Sequence, residues 1–217
     1  MNKRFIIGIL LTIFGYLLIT TKFFGLANFQ IEKSTSLLLS RIEFWILLIG
    51  MLFFAKSYEK SKFLLINEEK KKWWIYPVAT FALLLVVTLT MSLISIAVNK
   101  IGIESSTKTE ETLYRIVCEN KFLLFFTCIT AAVTEELLFR GYILSRIKKI
   151  SNSSWISVFV SALLFGLAHF GYNDFRSMFF PFIIGLIFGG FYVRYRSISI
   201  LIISHFIIDV YSLYSQC

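Results

Sequence analysis

Runs of about twenty apolar residues recur along this chain of 217 residues, and nothing else in it narrows the possible folds as far. Hydrocarbon offers a backbone no hydrogen-bonding partner, so a segment that crosses it satisfies its own amides as a helix of about 20 residues. Such runs lie near residues 5–27, 37–55, 74–98, 121–147, 155–172, 178–193 and 197–215. Arg41 and Glu43 interrupt the second, whereas the third carries no charge and opens on Trp73, Trp74 and Tyr76, an aromatic anchor suited to the membrane interface. The expected fold is all-α, a polytopic membrane helical bundle of about seven transmembrane helices (six to eight). A mean hydropathy of +0.76 with 16% charged residues agrees with lipid as the solvent. With no repeat, low-complexity stretch or long linker, residues 1–217 read as a single integral membrane domain.

The net charge of +9 would suit nucleic acid if the basic residues formed one patch. Instead they alternate with the apolar runs. Lys3 and Arg4, the lysines from Lys56 to Lys72, the group Arg140, Arg146, Lys148 and Lys149, and the pair Arg194 and Arg196 all fall on one side of the membrane. The bias of basic residues toward the cytoplasm makes the N-terminus cytoplasmic and the C-terminus external, in a multi-pass protein of the cell membrane. Lipid is therefore an expected partner and nucleic acid is not. The stretch Lys56–Lys72 reads as a face attracted to anionic headgroups. The start, MNKR before an apolar run, lacks a small-residue cleavage site and reads as an uncleaved anchor. Cys118, Cys128 and Cys217 are odd in number, scattered and without a CxxC pair, so neither a disulfide framework nor a zinc knuckle is expected and the three read as inert.

Ionisable side chains inside apolar helices are costly unless paired or facing a wet cavity, which makes each a functional candidate. Four sites qualify: Glu135 and Glu136 with Arg140 in AAVTEELLFRGYIL, His169 in SALLFGLAHF, His205 in LIISHFIID, and Asp209 one turn later. They include both histidines of the chain. The turn between the fourth and fifth runs centres near SNSS, and Glu135 and His169 are equidistant from its residue 152. An antiparallel hairpin sets them at one depth, roughly 20–25 Å along each arm at 1.5 Å per residue. Spacing leaves open whether His205 faces the same cavity. By the i,i+4 rule Glu136 and Arg140 share a helix face as an ion pair, and Glu135, about 100° away, is left to act as a base. His205 suits the donor that a tetrahedral oxyanion needs, with Asp209 orienting it or, protonated, donating in its own right. Phe165 reads as packing, and Gly185, Gly189 and Gly190 as a surface for close helix approach. Each polar group also has an architectural reading: a pair that locks helices, a histidine bonded to a neighbouring helix, a packed His205–Asp209 pair.

EELLFR at 135–140 fits an EExxxR motif, FGLAH at 165–169 an FxxxH motif, and HFIID at 205–209 an HxxxD-like third motif. In this order, over about residues 121–215, the chain resembles the CPBP family of CAAX prenyl proteases and bacteriocin-processing proteins, also called the Abi family. The resemblance implies an intramembrane endopeptidase with a catalytic core at 121–215. In it Glu135 and His169 activate water, Glu136 and Arg140 support them, and His205 with residue 209 serves the oxyanion. Members with asparagine at the last position have a permanent amide donor there, whereas an ionised Asp209 would repel the oxyanion. The expected mechanism requires no metal. Zinc is the alternative, held by Glu135, His169 and His205, although no HExxH is present. The implied partner is a peptide or protein substrate, prenylated or a leader peptide. Two other classes compete: a proton-coupled transporter, disfavoured because no repeats or paired broken helices are visible, and a non-catalytic membrane scaffold or bacteriocin-immunity protein of the same fold.

Overall fold

Every apolar run that the sequence marks becomes a helix. The computed structural model describes residues 2–25, 32–102, 107–169 and 175–217. Among them, α1 spans Asn2–Gly25, α2 Lys33–Ser57 and α3 Ile75–Lys100. The fourth run is a single rod of 31 residues, Lys121–Ser151, built from α5 (Lys121–Glu135), a π-helical segment π1 (Glu136–Leu144) and α6 (Ser145–Ser151). The last three runs give α7 (Ser154–Ala168), α8 (Phe175–Tyr195) and α9 (Ile198–Tyr214). Five helices are long and apolar enough to cross a membrane, while α7 and α9 are shorter apolar helices. Residues 26–27 and 170–172, the ends expected for the first and fifth runs, lie outside the described residues. Arg41 and Glu43 do not break α2, and the Arg41 guanidinium lies 5.0 Å from the Phe44 ring centroid.

One helix was not foreseen. Within the mixed-charge segment before the fourth run, α4 covers Thr107–Glu119. It stops at Asn120, whose extended backbone and side-chain oxygen, accepting from Leu123 N–H at 3.1 Å, start α5. The turn expected at SNSS forms as Asn152 in the left-handed conformation followed by Ser153, which caps α7 by accepting from Ile156 N–H.

The bundle is arranged around the rod Lys121–Ser151, whose apolar window is 61% buried against 17–28% in the other long spans. Large apolar side chains such as Phe14, Phe53, Phe81 and Leu93 point outward, as lipid-facing positions do. Helices α7 and α8 pack tightly against each other. A Cβ on Gly185 would lie 2.9 Å from Ala162 Cα, and one on Gly189 would lie 3.2 Å from Val158 Cγ1. Gly190 meets nothing within 4 Å, so of the three glycines singled out only two face the contact.

The two ends of the bundle are tied differently. At the lysine-rich end, the loop after α2 folds across the other turns: Arg4 Nη1 donates to Tyr58 O at 3.1 Å, Glu59 pairs with Arg146, and Glu68 accepts from Tyr192 Oη at 2.7 Å and from Ile198 N–H at 2.8 Å. Arg140 and Arg146, expected among the loop charges, are instead buried to 1% exposure or less, because each has a carboxylate inside the bundle. At the opposite end, Cys118 and Cys217 form a disulfide, which corrects the expectation of three inert cysteines. Helix packing brings together α4 and the chain end, 99 residues apart, a proximity that spacing does not encode. Cys128 is the buried free thiol.

Candidate active site

The site forms where π1 leaves α5. A π-helix takes about one more residue per turn than an α-helix, is rare and is found frequently at functional sites. Here the wide turn begins at Glu136, directly after Glu135. Two neighbours compensate its backbone: Ser161 Oγ on α7 donates to Phe139 O at 2.9 Å, and Ser145 Oγ donates to Gly141 O at 2.6 Å. Ser161 thus ties the rod to α7.

Glu136 is the hub. Its Oε1 accepts from Arg140 Nη1 at 2.8 Å and from His205 Nδ1 at 2.8 Å, with Glu136 and Arg140 buried to 1% exposure or less. A charge so deep is tolerated because it is paired and hydrogen-bonded. The Arg140 guanidinium also lies 4.2 Å from the centroid of Phe165 and 5.5 Å from that of Phe188, so two aromatic faces share its charge. Among the described residues Glu136 Oε2 and Arg140 Nη2 are buried and have no hydrogen-bond partner, leaving one acceptor and one donor atom unspent beside His205.

Glu135 is not the unencumbered base that helix geometry suggested. Its Oε1 accepts the Tyr16 hydroxyl at 2.7 Å, a contact made across 119 residues from α1. Its Oε2 lies 3.9 Å from His205 Nε2. Asp209 Oδ2 stands 3.5 Å from the same nitrogen. The imidazole of His205 is therefore held at Nδ1 by Glu136 and presents Nε2 toward two further carboxylates.

His169 closes α7. A backbone carbonyl can only accept, so the 2.8 Å contact with Phe165 O puts the proton on His169 Nδ1 and, in the neutral ring, the lone pair on Nε2. His169 is within electrostatic reach of Glu135 and His205. Phe165 stands between the histidines, its ring centroid 4.8 Å from that of His169 and 6.4 Å from that of His205. The residue read as packing thus supports three polar groups at once.

All six residues singled out in the sequence, Glu135, Glu136, Arg140, His169, His205 and Asp209, converge here. Tyr16 and Phe188 were missed. A hydroxyl in the otherwise aliphatic stretch GYLLI was the available signal for Tyr16; Phe188 has none among 24 phenylalanines. Among the described residues no three His, Cys, Asp or Glu side chains are grouped to hold a metal ion.

Residues 117–211 match the family model described as Type II CAAX prenyl endopeptidase Rce1-like. The matched stretch is a little under half of the chain and contains all six motif residues, so the resemblance to a CAAX-type endopeptidase holds for the segment that builds the site. No curated protein and no solved structure matches the chain.

Proposed function

We propose, from this segment's likeness to CAAX-type prenyl endopeptidases, that the protein is an intramembrane endopeptidase that hydrolyses peptide bonds with a water activated by Glu135 and His169. The observation that carries the reading is the three-way clasp of Glu136, Arg140 and His205, which orients His205 Nε2 toward Glu135. A structural pair needs no histidine on its second side. In the proposed reaction Glu135 takes a proton from a water oriented by His169 Nε2 as that water bonds to the scissile carbonyl carbon. The resulting oxyanion accepts a hydrogen bond from His205, whose Nε2 donates when the ring carries protons on both nitrogens. Cleavage of the C–N bond then sends the proton from Glu135 to the leaving amine.

Asp209 is placed beside His205 Nε2 and is read as orienting that ring. No step requires a metal or other cofactor. A membrane-associated peptide, prenylated or of the leader type, is the proposed substrate class.

The test is hydrolysis of fluorogenic prenylated and leader-type peptides by the purified protein in detergent, with and without a chelator. Glu135→Gln and His169→Ala are each expected to lose about 10²–10⁴-fold in rate, the usual worth of a positioned acid or base, with thermal midpoints retained. The chelator is expected to change nothing; inactivation by it would restore zinc to the mechanism. Variants as active as the wild type would remove Glu135 and His169 from the reaction, and a wild type that hydrolyses none of the peptides would leave the scaffold or immunity role.

A further inference from the structure

A second site lies at the lysine-rich end, away from the catalytic residues. An open pocket of about 760 Å³ is lined by Leu52, Lys56, Lys60, Ser61, Lys62 and Phe63. The three lysines are exposed, and none forms an ion pair among the described residues. The one carboxylate between residues 56 and 67, Glu59, is turned away into the bundle, where Arg146 Nη2 binds its Oε2 at 2.7 Å and the Tyr142 hydroxyl binds its Oε1 at 2.5 Å. The pocket therefore keeps three positive charges with no internal counter-ion.

Its frame is rigid. Arg146, fully buried, donates to Lys62 O at 3.1 Å and to Phe63 O, and Ser61 Oγ donates to Glu59 Oε2 at 3.1 Å. Lys60 adopts the left-handed conformation, with φ 56°, where glycine would sit without steric cost and a side chain is disfavoured. From the pocket, Ile49, Leu52 and Phe53 continue along one exposed face of α2 into the apolar zone. A phosphate flanked by lysines above an apolar stripe is the outline of a phospholipid.

We infer that this pocket binds the phosphate-bearing headgroup of an anionic phospholipid whose acyl chain lies along α2. The inference does not depend on the proteolytic reading. Full-length protein is placed in nanodiscs of phosphatidylcholine with or without phosphatidylglycerol, and co-purifying lipid is measured by native mass spectrometry. The triple variant Lys56→Gln, Lys60→Gln, Lys62→Gln is expected to weaken phosphatidylglycerol retention by roughly fivefold per lysine removed. Lys70→Gln, Lys72→Gln, Lys149→Gln, which removes equal charge from the same end, is expected to leave most retention intact. Lys60→Gly separates binding from folding: it should hold or raise the thermal midpoint while lowering retention. Equal losses in the two triple variants, or no loss in the first, would overturn the site. So would equal stabilisation by glycerol phosphate in phosphatidylcholine discs, which would assign the lysines to a soluble phosphate.

Discussion

Glu135 and Glu136 are chain neighbours with different partners, Tyr16 and Arg140, and single substitutions should separate the roles proposed for them. Glu136 neutralises Arg140 in a fully buried pair. Glu136→Gln leaves that guanidinium without its counter-charge, and the loss of one partner of a buried pair costs about 3–5 kcal/mol. Its expected signature is a lowered thermal midpoint or aggregation in detergent, whereas Glu135→Gln should fold normally and fail in turnover. Tyr16→Phe deletes the donor to Glu135 Oε1. A hydrogen bond to a charged group is worth about 1.5–3 kcal/mol. A fall in kcat of about tenfold or more with KM little changed is expected, and an unaltered kcat would reduce Tyr16 to packing. At position 209, Asp209→Asn keeps a side chain that can contact His205 and should retain more activity than Asp209→Ala; equal losses would show that the carboxylate itself is needed.

At the scale of helices, the site depends on how closely α7 and α8 approach, since α7 carries Phe165 and His169 and α8 carries Phe188. Gly185 sits against Ala162 with no room for a Cβ. Gly185→Leu is expected to force the helices apart, lowering the thermal midpoint and activity together, because overpacking a tight contact costs about 1–3 kcal/mol. Gly190→Ala, in open space, is the matched control and should behave as wild type. The π-helical turn is the other element-level device. It keeps the Glu136–Arg140 contact while Ser161 satisfies Phe139 O. That serine lies on the helix that His169 closes, so backbone compensation and the placement of His169 share one contact surface.

Across the whole molecule, the two tied ends bear on orientation. The lysine-rich loop gathers at one end and the Cys118–Cys217 disulfide at the other. Disulfides persist in oxidising compartments and basic loops stay in the cytoplasm. On these two rules an N-terminus inside and a C-terminus outside is the orientation to test. In intact cells, a membrane-impermeant maleimide is expected to label Cys118 and Cys217 only after treatment with an impermeant reductant; labelling that requires permeabilisation would invert the topology. Breaking the opposite tie with Arg146→Leu leaves Glu59 buried and unpaired, and should open the loop to trypsin at Lys60 and Lys62 in inside-out vesicles.

How much was legible follows from what is local. Run length and apolarity determined the helices, because hydrocarbon forces a backbone to bond within itself over a fixed thickness. The intramembrane charges were equally plain, since Glu135, Glu136, Arg140, His169, His205 and Asp209 are costly wherever they lie in such a helix, and the SNSS turn follows from capping chemistry. Tertiary structure alone decided partnership. Tyr16 reaches Glu135 across 119 residues, Glu59 leaves its lysine neighbours for Arg146 across 87, and Cys118 meets Cys217 across 99. Each partner is an ordinary residue in its own segment, and helix packing, which carries no local periodicity, is what makes it particular.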